Sequence, residues 1–170
     1  MLRLDARRAD DPTVAALLDA YFDERAASRP ADAGPYVRTT PDPARFVAPE
    51  GAFLLVLDEG GDAIGCGGIR RESAPEGHPL GGERWFEVKH VFVLPEARGR
   101  GASRAIMAGL EGAALELGAD RLVLDTHTSQ AAAGGLYRAL GYEEIPPYNA
   151  NGNANLWFGR RLEADGEGGS

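Results

Sequence analysis

The stretch VFVLPEARGRGASR, residues 91–104, constrains the fold more than any other part of this chain. A β-branched apolar run is followed within a few residues by two glycines and three arginines, and then by a helix-like pattern. Glycines between a strand and a helix let the backbone turn tightly and approach a ligand. The first N–H groups of a helix are unpaired and carry partial positive charge, which suits a phosphate. The stretch therefore predicts a strand–turn–helix unit whose turn either binds an anion or only packs tightly, with solvated arginines.

Hydrophobic periodicity predicts further strands and helices on both sides of this unit. Strands are expected at 2–7, 52–57, 63–71, 83–94, 121–126 and 154–162, and helices after Asp11, after Gly101 and after Thr128. Prolines between residues 28 and 49 leave room for short helices only. We expect a single-domain α/β fold with a mixed central sheet of about six to seven strands and about four flanking helices. The strands joined by the helix after Gly101 should be parallel.

Two side-chain faces follow from these periods. The strand at 83–94 becomes apolar on both faces near its end, which predicts a central position in the sheet. Strict alternation puts His90 on the side of Phe86, Val88 and Phe92, so packing is its expected role. Proton transfer is the alternative for His90, because its reference pKa lies near about 6.5. In the last helix, the predicted buried face holds Ala132, Leu136, Ala139 and Leu140.

Composition narrows the possible partners. The chain has 170 residues and a net charge of −8, which disfavours nucleic acid and is compatible with a cationic small substrate. No run approaches the roughly 18 apolar residues of a membrane helix, and the N-terminus lacks the apolar run of a signal peptide. We therefore expect a cytoplasmic protein without a membrane partner.

The remaining features predict one domain and no metal. The lone Cys66 has no Cys or His neighbour at ligand spacing, so it suggests a small buried residue and not a metal site. The domain should span residues 1–162. The segment EADGEGGS at 163–170 has three acids and no apolar anchor, which predicts a disordered acidic tail.

Two common phosphate-binding motifs do not fit the turn. Walker A needs Lys and then Ser or Thr after its second glycine, whereas Ala102 and Ser103 follow Gly101. The dinucleotide fingerprint needs a third Gly or Ala where Arg104 stands. Asp125, at the end of the next strand, could still act as a ribose-binding acid, so a nicotinamide enzyme stays an alternative.

Two separated motifs, in the matching order of elements, resemble one family. The run Arg98-Gly99-Arg100-Gly101-Ala102-Ser103, after a strand ending Val91-Phe92-Val93, resembles the R/Q-x-x-G-x-G/A acetyl-coenzyme A loop of the GCN5-related N-acetyltransferases (the GNAT family). A later helix is similar to the N-x-x-A-x-x-L-Y pattern of that family at Gln130, Ala133, Leu136 and Tyr137, with Gln in place of Asn. The resemblance extends over nearly the whole chain.

The resemblance implies how acetyl-CoA would be bound. Backbone N–H groups of residues 98–103 would hold the pyrophosphate. The main chain of Val91 and Val93, with Phe92 between them, would pair with the pantetheine arm like an added strand, and Gln130 would contact that arm.

The resemblance also implies catalytic roles. Tyr137 would be the general acid for the departing thiolate, next to the bound coenzyme. Glu87, on the strand before the loop, would accept the proton of the amine, through water, or attract a cationic substrate. A surface charge paired with Lys89 or an arginine is the alternative for Glu87.

The implied function is an N-acetyltransferase that moves the acetyl group of acetyl-CoA to a primary amine of a small molecule or peptide. A non-catalytic acyl-CoA-binding sensor on the same fold is the alternative. The acceptor, the general base and a homodimeric assembly are left open. Loops at 28–49, 73–83 and 146–155 are expected to line the acceptor pocket. The amide-rich stretch YNANGNAN suits either a polar substrate or a solvated loop.

Overall fold

The computed structural model, which describes residues 1–163, contains one seven-stranded mixed sheet and three α-helices. The strands are β1 (Arg3–Ala6), β2 (Gly51–Leu57), β3 (Ala63–Glu72), β4 (Trp85–Val93), β5 (Arg121–Thr126), β6 (Glu143–Glu144) and β7 (Leu156–Arg161). The helices are α1 (Pro12–Ala27), α2 (Ala102–Glu116) and α3 (Ala131–Ala139). The expected α/β fold with a mixed sheet is confirmed.

The structure has three α-helices where about four were expected, because the proline-rich segment between α1 and β2 forms only two short 3-10 helices, Ala31–Ala33 and Pro43–Phe46. Within residues 1–163, no helix combines the length and apolarity that crossing a membrane requires. The tail predicted at 163–170 lies, apart from Glu163, outside the described residues.

Helix ends follow the local signals in the sequence. The carboxylate of Asp11 accepts a hydrogen bond from the Thr13 N–H at 2.8 Å and caps α1. Gly118 and Gly141 have φ angles of 85° and 89°, which end α2 and α3 in the left-handed conformation that glycine adopts most easily.

The sheet splits in its middle. Its strand order is β1-β2-β3-β4-β5-β7-β6, and β4 and β5 form its parallel pair, as expected for strands joined by α2. The ladder between them covers only Trp85, Phe86 and Glu87 opposite residues 121–123. Beyond these residues β5 stays paired with β7, up to Thr126 opposite Leu156, while β4 has no strand partner on this side within residues 1–163. The second half of β4 therefore borders a gap.

A β-bulge at His90 changes which way the side chains of β4 point. Cys66 pairs with Phe92 and Gly68 with Lys89, so two residues of β4 oppose one of β3. His90 has a φ of 60°, a left-handed conformation. Consequently Phe92 packs in the core cluster beneath α1, whereas Phe86 and Val88 belong to the cluster beneath α2. The strict alternation assumed for this strand was wrong after Lys89.

Two apolar clusters, one on each face of the sheet, form the core. The cluster under α2 contains Ile106 and Leu110. A Cβ added at Gly67 would lie 2.7 Å from the Ile106 side chain, so a glycine is needed for α2 to approach the sheet. Cys66 is fully buried in the other cluster, and burial raises the pKa of its thiol to about 12. Cys66 is thus the small buried residue that was predicted.

Candidate active site

A cavity of about 740 Å³ occupies the gap between β4 and β5. Its walls come from residues 88–93 of β4 and 124–126 of β5, the second half of α1, the start of α2 and one face of α3. Residues 36, 37 and 39–41 and the asparagines at 149, 151 and 153 line it as well. The split sheet therefore brings together segments that are far apart in the sequence.

The start of α2 offers a row of free hydrogen-bond donors to this cavity. Gly99 and Gly101 have φ angles of 81° and 82°, which turn the chain into the helix. No side chain caps α2, and its first backbone bond runs from the Ala105 N–H to the Gly101 carbonyl at 3.0 Å. The N–H groups of residues 101–104 find no acceptor within residues 1–163. A helix start with these properties is suited to bind an anion.

The three arginines of this loop have different environments. The guanidinium of Arg98 contacts both carboxylate oxygens of Glu24 at 2.7 and 2.8 Å, and its Nε donates to the Val93 carbonyl at 3.1 Å. The N–H of Arg98 donates to the Pro95 carbonyl at 3.3 Å, so the free donors begin after this residue. Arg98 therefore fastens the loop to α1. Arg104 lines the cavity, whereas Arg100 is exposed and does not.

The edge of β4 is open along the cavity. The Leu94 N–H donates to the Ile64 carbonyl of β3 at 2.9 Å. Because successive residues of a strand point their N–H groups to opposite sides, those of Val93 and Val91 point away from β3, toward the gap. An extended ligand could add to this edge like a strand.

Tyr137 reaches the cavity from α3. Its side chain is 8% exposed, and its ring packs against Tyr142 and Phe158 at centroid distances of 6.0 and 5.9 Å. Its hydroxyl makes no hydrogen bond within residues 1–163, and burial raises its pKa well above the ordinary value for tyrosine. The phenol therefore keeps its proton at neutral pH.

The buried face predicted for α3 was wrong. Gly134 and Tyr137 are buried, whereas Ala132 and Ala139 are exposed. The helix turns Ala132 and Leu136 toward the cavity instead of the core. At its N-terminus, the side-chain amide of Gln130 donates to the Ser28 hydroxyl at 2.8 Å, and this residue also lines the cavity.

Glu87 is fully buried and does not line the cavity. Its carboxylate accepts hydrogen bonds from the Tyr148 hydroxyl at 2.6 Å and from the Arg70 Nε at 3.0 Å, and the Lys89 ammonium is 3.7 Å away. Pairing with Lys89 and an arginine was the predicted alternative for Glu87, but the surface position predicted with it was wrong, because the side chain is buried. The Tyr148 pKa is raised by burial and by the Glu87 charge, so this phenol stays protonated as a donor.

Asp125 also belongs to this polar cluster. Its carboxylate accepts from the Lys89 ammonium at 2.9 Å and from the Asn149 and Asn151 amides at 2.8 and 3.1 Å. Burial acts to raise the pKa of Asp125, but Lys89 and the two amides outweigh it, so the pKa lies below its ordinary value. Because side chains of the protein already donate to both oxygens of the Asp125 carboxylate, the arrangement disfavours the alternative in which Asp125 binds the ribose of a dinucleotide. Asn149 and Asn151 belong to the amide-rich stretch YNANGNAN, which was the sequence feature that pointed to polar contacts here.

Two of the three loops expected at the acceptor pocket meet over the cavity. Asn153 accepts from the Val37 N–H at 3.2 Å and donates to its carbonyl at 2.7 Å, while Arg29 donates to the Gly152 carbonyl at 3.0 Å. The loop at 73–83 lines a separate depression instead, so its expected place at the pocket was wrong.

His90 packs among aromatic rings at the cavity wall. Its ring lies 5.7 Å from Tyr21 and Phe22 and 5.8 Å from Phe46, and its Nδ1 is buried without a partner in the described part of the chain. Burial, helped by the charges of Lys89 and nearby arginines, lowers the pKa of His90 to about 3. A neutral imidazole with this pKa is a poor base at neutral pH, and packing is its role, as expected.

This environment makes stability depend on pH. Below about pH 6.5, the reference pKa of histidine, the unfolded chain binds a proton that the folded chain refuses until about pH 3. The free energy of unfolding should therefore fall with decreasing pH in this window, by up to about 1.4 kcal/mol per pH unit from His90. The change His90→Asn removes the titration, and asparagine tolerates the positive φ. In urea unfolding, the difference in stability between wild type and variant should shift in favour of the variant as the pH falls from about 7.5 to about 4.5. Parallel pH dependences would contradict this assignment.

These features define a class of protein: an α/β fold with a split sheet, which offers an anion site, an open strand edge and a protonated tyrosine to one ligand. The profile of the Acetyltransferase (GNAT) family matches residues 14–142. The chain belongs to this family.

Individual relatives agree with this assignment. An uncharacterized N-acetyltransferase of Schizosaccharomyces pombe is 31% identical over 119 residues, which are 70% of this chain and 68% of that protein. The chain spans less than two thirds of the length of other curated relatives that it matches.

Solved structures have the same fold. A GNAT-family acetyltransferase of Staphylococcus aureus superposes with a TM-score of 0.71 at 16% identity, over 96% of this chain and 100% of that one. For yncA of Salmonella typhimurium, solved with its cofactor acetyl-CoA, the TM-score is 0.60 at 18% identity, over 99% of each chain.

Proposed function

We propose that this acetyltransferase moves the acetyl group of acetyl-CoA to a primary amine of a small molecule or peptide. The observation that carries this proposal is the row of free N–H groups at 101–104, which lies on the same cavity as Tyr137. Family membership makes acetyl-CoA the cosubstrate. The cytoplasmic location stays a prediction from the sequence.

The cavity residues fit the parts of acetyl-CoA in order. The pyrophosphate would accept from the N–H groups of Gly101, Ala102 and Ser103, with Gly99 giving the turn and the Arg104 guanidinium nearby. Arg100 would add long-range attraction from the surface, and Arg98 would hold the loop through Glu24. The pantetheine arm would pair with the main chain of Val91 and Val93, on either side of the buried Phe92. Gln130, at the start of α3, would contact the pantetheine arm from the opposite side of the cavity.

The reaction needs one proton donor and one proton sink. The amine nitrogen attacks the acetyl carbonyl carbon, a C–N bond forms and the C–S bond breaks, so the nitrogen loses a proton and the sulfur needs one. We assign the donor role to Tyr137, because a phenol with a pKa of about 10 or more holds its proton at neutral pH and can deliver it to a thiolate of pKa about 8.5. Its unbonded hydroxyl and its place on the cavity support this role.

Glu87 is proposed to act through its neighbours. Because its carboxylate is buried behind Arg70 and Lys89, which do line the cavity, it orients these cations without touching the acceptor. The proton of the amine would leave through water in the cavity. Glu87 is thus a positioning residue of the catalytic site in this proposal.

The proposed coenzyme site is tested by two matched glycine variants at the ends of α2. Gly101 and Gly118 have nearly equal φ angles of 82° and 85°, and an added Cβ would have no heavy atom within 4 Å at either position. Valine should introduce similar strain at both, about 1–3 kcal/mol. Only Gly101→Val should weaken acetyl-CoA binding, by on the order of 10-fold in Kd, because only this residue borders the anion site.

Calorimetric titration with acetyl-CoA measures this difference, and thermal melting verifies that both variants are folded. An unchanged affinity of Gly101→Val would contradict the proposed pyrophosphate site. Tight binding without turnover, on a broad panel of amines, would instead favour the acyl-CoA-binding sensor.

A further inference from the structure

The carboxylates next to the acceptor end of the cavity already have partners. Asp125 is bound by Lys89, and Glu87 by Arg70. Glu24, at the rim, is bound by Arg98. A cationic acceptor would therefore have to compete with an ammonium or a guanidinium for each of these groups.

Arg25 differs from all of these cations. Its side chain lines the cavity from the last turns of α1, and it forms no ion pair in the part of the chain that the structure describes. The guanidinium carbon lies 5.8 Å from the centroid of the Tyr21 ring. Burial raises the pKa of Tyr21, Tyr36 and Tyr137 and lowers that of His90, and the charge of Arg25 favours a lower pKa at all four groups. At Tyr36 a hydrogen bond with the Arg25 side chain adds to this effect. Arg25 thus lies near Tyr21, Tyr36, Tyr137 and His90 on the cavity wall.

The local charge is opposite in sign to that of the whole chain. Arg25, Arg70 and Lys89 face two carboxylates, Glu87 and Asp125, which leaves one positive charge at this end of the cavity. The chain as a whole carries −8. Thr39 and Thr40 line the same cavity, and a threonine hydroxyl can donate to an anion as well. A guanidinium without a carboxylate partner among the described residues, such as that of Arg25, is the side chain best suited to bind a carboxylate, through two parallel hydrogen bonds.

We infer that the acceptor carries a carboxylate besides its amine, as a free amino acid does, and that Arg25 binds this carboxylate. The inference rests on the proposed acetyl transfer. It replaces the cationic substrate that net charge alone allowed, because polyamines and aminoglycosides would meet a positive site. Arg25 then determines which amines are used, while the chemistry at Tyr137 stays the same for all of them.

The test compares acceptors that differ only in the carboxylate. Initial rates of coenzyme A release are measured with the standard amino acids, with their carboxamides and with the corresponding decarboxylated amines. The best amino acid should exceed its carboxamide in kcat/KM by on the order of 10-fold or more. Polyamines serve as the cationic comparison.

Variants of Arg25 then assign the preference to this residue. Arg25→Gln should raise KM for the amino acid by on the order of 10- to 100-fold, with kcat, the KM of the carboxamide and the Kd of acetyl-CoA nearly unchanged. Arg25→Lys should keep part of the preference, because it keeps the charge but loses the paired geometry. Arg3→Gln removes the same charge from exposed β1, away from the cavity, and should behave as wild type.

The outcomes separate this inference from the proposed function. Turnover of carboxamides, amines or polyamines at least equal to that of amino acids would overturn the inference and leave acetyl transfer intact. Equal losses on both acceptor types in a folded Arg25→Gln variant would also overturn it, since they would give Arg25 a general structural role. No turnover on any amine would overturn both.

Discussion

Replacing Tyr137 with phenylalanine is expected to lower the rate of acetyl transfer by about 10²- to 10⁴-fold, the usual range for a general acid. Phenylalanine keeps the ring that packs against Tyr142 and Phe158, so the helix should stay in place. It removes the hydroxyl that would protonate the thiolate. Binding of acetyl-CoA should barely change, and kcat and kcat/KM should fall together.

Tyr142 provides the matched control. Its ring touches that of Tyr137, and its hydroxyl is buried without a partner in residues 1–163, but it does not line the cavity. Tyr142→Phe should therefore leave turnover unchanged. Wild-type turnover of Tyr137→Phe on a confirmed acceptor would remove this residue from the mechanism. The acceptor is required, since slow hydrolysis of acetyl-CoA by water need not depend on the same acid.

The second large effect is expected at Glu87, in stability. Glu87→Ala should lower the free energy of unfolding by about 3–5 kcal/mol, because removing one partner of a buried ion pair leaves the other charge uncompensated. Here the guanidinium of Arg70 and the hydroxyl of Tyr148 lose their shared acceptor, while the ammonium of Lys89 keeps only Asp125. Urea unfolding at neutral pH measures the loss.

Two further variants make this experiment specific. Glu116→Ala removes a carboxylate from the exposed side of α2, and it should cost little. Glu87→Gln keeps an oxygen that can accept from Tyr148, so it should cost less than alanine and allow kinetics on a folded protein. A positioning role predicts a higher KM with a normal pH profile of kcat. Loss of kcat together with loss of the acidic limb of that profile would instead make Glu87 the base.

Local signals were sufficient to predict much of the fold and the turn that starts α2. Gly99 and Gly101 predicted the turn into α2, Gly118 predicted the end of α2, and Gly141 predicted the end of α3. These predictions succeed because glycine adopts a positive φ without steric cost wherever it stands in the chain. The same reasoning works for Asp11 at the start of α1. Periodicity found six of the seven strands, and it missed β6, whose two residues are too few to show a period.

The side on which a residue is buried was less predictable than the strand or helix to which it belongs. A single extra residue at the His90 bulge reverses every later side chain of β4, and periodicity within one strand cannot register this, because the bulge is defined against β3. The α3 face was misjudged for a related reason. Alanines and leucines were counted as core, whereas part of that helix borders a cavity.

The sequence by itself determined the order of strands and helices, the turn that starts α2 with its free N–H groups, and the position of Tyr137 on a helix. These depend on residues close together in the chain. Only the tertiary structure decided that Glu87 is buried, that Asp125 is paired with Lys89, and that Arg25 forms no ion pair within residues 1–163. Each of these properties depends on which charged side chains from distant segments come within a few ångströms of one another. These side chains meet around the cavity that opens where β4 and β5 separate.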